Sequence, residues 1–226
     1  METSAFYQPL DPFTFLERTA TVYPGQPAVI YNERTYPYSE FMDRVNRLSG
    51  ALAQSGVRKG DRVGFLVPNV PAMLEGHYGP LGIGAVLVAI NTRLSSREIA
   101  YILNHSGAKV LVFDSELSSV IRECIGHGIP VETFVQVVDT HPRAEDIPGP
   151  DYETFLMQAP LGTHRDQIDD ELATIAINYT SGTTGLPKGV KYHARGAYLN
   201  AMGEIIEQGL NWQSRYLWTL PMFHCN

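Results

Sequence analysis

Five short apolar runs, at residues 62–67, 85–90, 108–113, 134–138 and 173–178, constrain this chain more than any other feature. The runs are continuous rather than alternating, the pattern of strands covered on both faces in a parallel sheet. Between them lie stretches with apolar residues at helical spacing. Strand and helix alternate at least three times, which predicts βαβ units with right-handed crossovers. The expected fold class is therefore α/β, with a largely parallel sheet or sheets and flanking helices.

Local signals mark the elements. Asp11-Pro12 opens a first helix, with Asp11 as cap and proline at the first helical position, and Pro24-Gly25 ends it. Residues 28–31 and 35–38 read as a hairpin around Asn32-Glu33-Arg34. Ser39 caps a helix whose stripe is Phe41, Val45, Leu48 and Leu52. Residues 71–84 read as a helix weakened by glycines and Pro80. Ser95 and Glu98 form a capping box for the helix that His105-Ser106-Gly107 closes. A helix over 115–126, a loop over 141–150, a short helical turn over 152–157, a helix over 194–209 and a final strand over 216–220 complete the expectation. The acid run 166–171 reads as a solvated face, not a metal site.

The chain has 226 residues, enough for one large domain or two small ones. Its 44% hydrophobic and 18% charged residues suit a globular protein with a sizeable core. A net charge of −7 and no basic block exclude nucleic acid as the expected partner. Two distant cysteines, Cys124 and Cys225, argue for a reducing compartment. No basic and apolar leader is visible at the N-terminus. The longest apolar stretch, 81–90, is ten residues and too short to span a bilayer. A cytoplasmic protein without a transmembrane segment is the expectation, with a homo-oligomer left open.

The chemistry concentrates where the last run meets Tyr179-Thr180-Ser181-Gly182-Thr183-Thr184-Gly185-Leu186-Pro187-Lys188-Gly189-Val190. Glycines let backbone approach a ligand closely, and successive N–H groups in such a turn form a concavity for anions. The hydroxyls of Thr180, Ser181, Thr183 and Thr184 add donors, and Lys188 adds a positive charge. The stretch is a phosphate cradle, but not the triphosphatase loop G-x-x-x-x-G-K-[ST]. Counting from Gly182, Lys188 is in register, yet Pro187 stands where a glycine is required and Gly189 where a hydroxyl would hold magnesium. Proline has no N–H to offer a phosphate.

Residues 179–189 resemble, nearly residue for residue, the phosphate loop of the adenylate-forming enzymes, the superfamily of acyl-CoA synthetases, luciferases and peptide-synthetase adenylation domains. Two further segments carry the resemblance. Asn91-Thr92-Arg93-Leu94 is similar to the Asn-x-Arg-Leu segment of acyl- and aryl-CoA synthetases, and Leu220-Pro221-Met222-Phe223-His224 to their Leu-Pro-x-Phe-His segment. The resemblance spans roughly residues 13–226. It implies activation of a carboxylic acid by ATP to an acyl-adenylate, then transfer to coenzyme A, with Mg²⁺ bridging the phosphates. It assigns Thr180, Ser181, Gly182, Thr183, Thr184, Gly185 and Lys188 to ATP, His224 to the acyl or adenylate pocket, and Arg93 to the phosphates of coenzyme A. Lys191 and His193 read as solvated, and Tyr179, Trp218 and Phe223 as core aromatics.

The resemblance also says what to expect elsewhere. The family's Thr-Gly-Asp ribose segment, its magnesium-binding glutamate, its hinge and its late catalytic lysine follow the phosphate loop, and these 226 residues do not carry them. The chain is expected to be an N-terminal fragment of the large adenylation domain, with no certain catalytic residue, no metal site and no turnover by itself. Two other functions stay open. One is an adenylation domain loading an acid or amino acid onto a carrier protein, disfavoured because Phe223-His224-Cys225-Asn226 stands where those have a Phe-Asp-x-Ser type segment. The other is a non-catalytic nucleotide-binding remnant. The identity of the acid is not legible.

Overall fold

The structure, a computed structural model, describes residues 7–160, 169–180 and 186–225. Helix α1 (Phe13–Val22) precedes a hairpin, β1 (Pro27–Tyr31) and β2 (Arg34–Pro37), and the long helix α2 (Tyr38–Gln54). Then come β3 (Arg62–Leu66), α3 (Pro71–Tyr78), β4 (Val86–Ala89), α4 (Ser96–Ser106), β5 (Ala108–Asp114), α5 (Ser118–Gly126), β6 (Thr133–Val137) and α6 (Tyr152–Gln158). Strands β7 (Thr174–Thr180) and β8 (Lys188–His193) flank the phosphate-loop stretch, and α7 (Ala194–Glu207) follows.

Strands β3 to β8 form one six-stranded sheet in the order β6-β5-β3-β4-β7-β8. All neighbours are parallel except the β7–β8 pair, which is antiparallel. The period-2 alternation of each strand sends side chains to two separate cores. Val63, Phe65, Leu87, Ala89, Val110 and Val112 meet α2, α3 and α6. Leu66, Val88, Ile90, Leu111 and Phe113 meet α4 and α5. Both faces are therefore covered by helices, the condition an all-apolar parallel strand requires. Phe65, Phe113, Leu48 and Leu103 are wholly buried, each contributing about 1.5–3 kcal/mol by removal from water.

Several local expectations hold in atomic detail. Asp11 accepts from the Thr14 N–H at 3.1 Å and from the Thr14 hydroxyl at 2.9 Å. The Ser95–Glu98 capping box is formed in both directions. Both cysteines are free thiols, Cys124 buried.

Others are corrected. Ser39 does not cap α2. The first N–H groups of that helix are taken instead by main-chain carbonyls, Tyr38 N donating to Gln26 O and Ser39 N to Pro24 O. The helix over 71–84 stops at Tyr78, and a 3-10 turn, Leu81–Ile83, follows. Its glycines serve close packing: a Cβ on Gly76 would lie 2.6 Å from the Phe65 ring. The helix expected over 115–126 begins with a 3-10 turn because Asp114 accepts from the Glu116 N–H. Of the acid run, residues 166–168 lie outside the described residues and Asp169 and Asp170 are exposed as expected, but Glu171 is not part of a solvated face. The Glu171 side chain is 15% exposed, accepts from Leu10 N at 2.9 Å, and pairs with Arg195 at 2.6 Å. The strand expected over 216–220 is absent. Tyr216 and Leu217 are 67% and 82% exposed, and no described strand pairs with them. An extended segment without a hydrogen-bonded neighbour and a covered face has nothing to hold it as a strand.

One charge cluster, buried at Glu75 and exposed at Glu153, clamps α2, α3 and α6. The Arg44 Nε donates to Glu75 Oε1 at 2.6 Å, and its terminal nitrogens reach Glu153 at 2.7 and 2.6 Å. Tyr152 donates its hydroxyl to Glu75 Oε2 at 2.7 Å. The Glu75 side chain is wholly buried, and burial pushes its carboxyl up against the opposing pull of Arg44. Removing one partner of such a pair strands the other charge. Arg44→Met is expected to lower stability by about 3–5 kcal/mol in urea unfolding, and adding Glu75→Gln to recover roughly half or more of the loss. Equal losses in the single and double variants would show that the stranded charge is not the cause.

Candidate functional site

In a sheet whose strands run in one direction, the loops after the strands share one edge, and ligands of open α/β sheets bind there. Here β3, β4 and β7 lie side by side and parallel. Their carboxyl ends lead respectively into Pro68-Asn69, Asn91-Thr92-Arg93-Leu94 and Thr180. Because β8 returns antiparallel, its first residue, Lys188, is at the same edge, cross-strand from Thr180. The fold thus gathers the segments that the sequence singles out separately.

Thr180 and Lys188 are both exposed, the last and first residues of the two stems. Ser181, Gly182, Thr183, Thr184 and Gly185, the centre of the expected cradle, lie outside the described residues. Arg93 is exposed, in a turn held by its own N–H donating to Asn91 Oδ1 at 2.9 Å. The capping box of α4 begins two residues later. Neither Arg93 nor Lys188 is ion-paired with a described carboxylate. Two uncommitted cations and an exposed hydroxyl at one sheet edge suit a polyanion.

His224 is exposed in a 3-10 turn, Met222–His224, whose Met222 and Phe223 are buried in the core under α2 and α3. Its ring centroid is 4.6 Å from that of Phe223. Asn69 does what the missing strand would have done. Its Nδ2 donates to Leu220 O and its Oδ1 accepts from Met222 N, both at 2.8 Å. One side chain at the end of β3 thereby fixes the approach to His224. Nothing local in the sequence marks Asn69 for this role, since a contact across more than 150 residues leaves no local pattern. His193, read as solvated, caps α7 by accepting from the Gly196 N–H at 2.9 Å. Lys191 is exposed, as expected.

His77, on α3, also backs the Met222 turn. Burial pulls its pKa down to about 4, a main-chain hydrogen bond with Met222 opposing in part, and its Nε2 has no partner among the described residues. A cavity of about 310 Å³ lies toward the β6 side, lined by Tyr31, Arg44, Val70, Val138 and Tyr152, and includes none of Asn69, Arg93, Thr180, Lys188 or His224. Among the described residues, no group of three His, Cys, Asp or Glu side chains is placed to hold a metal ion.

The neutral His77 carries a pH dependence. An unfolded ring takes up its proton near 6.5 and the folded one only near 4. Between those values the unfolded state binds more protons, so stability is lost as pH falls through that window. Urea unfolding is expected to lose about 2 kcal/mol more between pH 7 and pH 5 in the parent than in His77→Gln. An equal loss in both would assign the acid sensitivity to other groups.

Comparison with known proteins shows what the chain as a whole is similar to. Residues 16–226 match the family model described as AMP-binding enzyme. The 4-hydroxybutyrate--CoA ligase 2 of Metallosphaera sedula is 39% identical over 226 residues, covering 98% of this chain and 41% of that protein. The peroxisomal acetate/butyrate--CoA ligase AAE7 of Arabidopsis thaliana is 36% identical over 235 residues, covering 98% and 41%. Among solved structures, the anthranilate CoA ligase AuaEII in complex with anthranoyl-AMP superposes with a TM-score of 0.79 at 26% identity, covering 89% of this chain and 38% of that one. The chain spans about two fifths of the length of the curated relatives it matches. With a family model covering nearly its whole length, the chain belongs to the AMP-binding enzyme family.

Proposed function

We propose that this chain supplies the phosphate-holding part of an ATP-dependent acid–CoA ligase. The observation that carries the reading is the pairing of Thr180 with Lys188 at the carboxyl edge of the central sheet, on the same edge as the Arg93 segment. In the first step a carboxylate oxygen attacks the α-phosphorus of ATP. The bond to the bridging oxygen breaks, and pyrophosphate leaves with the electron pair. In the second, the sulfur of coenzyme A attacks the acyl carbonyl, the thiol gives up its proton, and AMP leaves. Charge grows on the departing pyrophosphate, so fixed donors and a cation at that point lower the barrier. Residues 180–185 and Lys188 take that role, Arg93 meets the phosphates of coenzyme A, and His224 walls the acyl side.

Mg²⁺ would offset phosphate charge when bound with the nucleotide; among the described residues no group of three His, Cys, Asp or Glu side chains is placed to hold it. The ribose groups of the reaction belong to the rest of the large adenylation domain and the late lysine to a small mobile C-terminal domain, neither of which these 226 residues carry. No turnover is therefore assigned to them alone. The relatives named for acetate, butyrate and 4-hydroxybutyrate make short carboxylic acids the first candidates.

The 226-residue chain is expected to bind ATP with Mg²⁺ in equilibrium dialysis, and Lys188→Ala to weaken that binding about tenfold, the loss of one charge-assisted contact. It is expected to form no acyl-CoA from ATP, coenzyme A and any of these acids. The polypeptide extended to the length of its relatives is expected to show ATP–pyrophosphate exchange with short acids. Exchange with amino acids only would replace the ligase by a carrier-loading enzyme. Nucleotide binding by the extended chain with no exchange would leave a non-catalytic nucleotide-binding remnant.

A further inference from the structure

The side chain that directly precedes the phosphate loop is not packed as an ordinary core aromatic. Tyr179 is half-buried on β7, with Ile177 on the same face, toward α4. Its cross-strand partner on β8 is Gly189. A Cβ added to Gly189 would lie 3.3 Å from the Tyr179 Cζ, 3.5 Å from its hydroxyl oxygen and 2.9 Å from the Ile177 Cγ2. The ring therefore lies across the second stem, where any larger residue than glycine would lift it. Beyond the stem, the Tyr179 hydroxyl and the His105 Nδ1 share a hydrogen bond of 2.8 Å. The two rings meet edge to face, centroids 5.7 Å apart at 85°. His105 is in the last turn of α4 and is itself stacked on Tyr101, 5.5 Å away at 24°. Burial raises the Tyr179 pKa, so the phenol keeps its proton.

We infer that Tyr179 and His105 are positioning residues for the phosphate loop: the Tyr179 ring clamps both stems across Gly189, and His105 ties that clamp to α4. The inference rests on the nucleotide reading above and adds residues that touch no substrate. Its physical basis is entropic. Thr180 and Lys188 close a short glycine-rich segment, and any freedom of the stems is freedom the loop must surrender when it grips an anion. Holding the stems to a helix with a complete capping box removes that freedom in advance. The clamp also explains why the motif continues with Gly189 after Lys188, where a triphosphatase loop has a hydroxyl.

Two measurements on the 226-residue chain test this: dissociation constants for ATP with Mg²⁺, and hydrogen exchange of residues 174–193 without nucleotide. Tyr179→Phe and His105→Ala are each expected to weaken ATP binding about fivefold, the worth of one hydrogen bond. Both are expected to speed exchange in β7 and β8 while leaving β5 and β6 unchanged. His105→Asn, whose amide stands where Nδ1 stood, is expected to restore binding to within about twofold. Variants that bind ATP like the parent would overturn the inference and leave the nucleotide reading intact. Exchange accelerated evenly over the whole chain would also overturn it, as the mark of a merely structural contact. If the parent itself bound no ATP, the nucleotide reading would fall. Exchange would then decide alone, local acceleration supporting the clamp and its absence sinking it.

Discussion

The constraint on which this structure depends is that a parallel sheet has no wet face. Strands β3, β4 and β5 are apolar on both sides, and each side needs its own helical layer. That requirement sends α2, α3 and α6 to one face and α4 and α5 to the other. It also forces the chain to cross back after every strand, so that successive loops emerge at one edge. The chemistry of the site is a by-product of this packing. Asn69, Arg93 and Thr180 share an edge because β3, β4 and β7 must run the same way.

The exception to the parallel rule is equally informative. Strand β8 returns antiparallel beside β7, with Thr180 and Lys188 paired as the ends of the two stems. An antiparallel pair fixes the separation of its two stems by main-chain hydrogen bonds. The cation and the hydroxyl are thus placed by backbone geometry, and the loop between them needs only to be permissive. Glycines and small hydroxyl residues are the residue types that meet such a need.

Polar groups do the remaining fastening where apolar packing runs out. Arg44, Glu75, Glu153 and Tyr152 join three helices through a cluster that is desolvated at Glu75 and Tyr152 and open to water at Glu153. Asn69 holds Leu220 and Met222 by two main-chain bonds in place of sheet pairing. Glu171 gathers Leu10 and Arg195. Such contacts join residues far apart in sequence, and their charge or amide chemistry reads locally as surface or turn. Ser39 illustrates the converse: a good local cap signal was overridden because Pro24 and Gln26 already supplied acceptors. The run 216–220 has strand composition, but composition does not provide a neighbouring strand, and its Tyr216 and Leu217 remain in water.

By itself the sequence determined the α/β class, the order of the sheet strands up to β7 and the Ser95–Glu98 capping box, and it singled out the stretch 179–190 as the candidate site. These follow from periodicity, capping and turn chemistry, which act over a few residues and are written in consecutive letters. It could also separate this loop from the triphosphatase type, since one proline and one glycine in register suffice. Only the tertiary structure decided that Thr180 and Lys188 face each other across two stems. It alone put Asn69 under the His224 turn and brought His105 from α4 to the Tyr179 hydroxyl. Those pairings depend on strand order and register. Strand order and register are set by how two apolar faces share a limited number of helices, a global balance that no local pattern encodes.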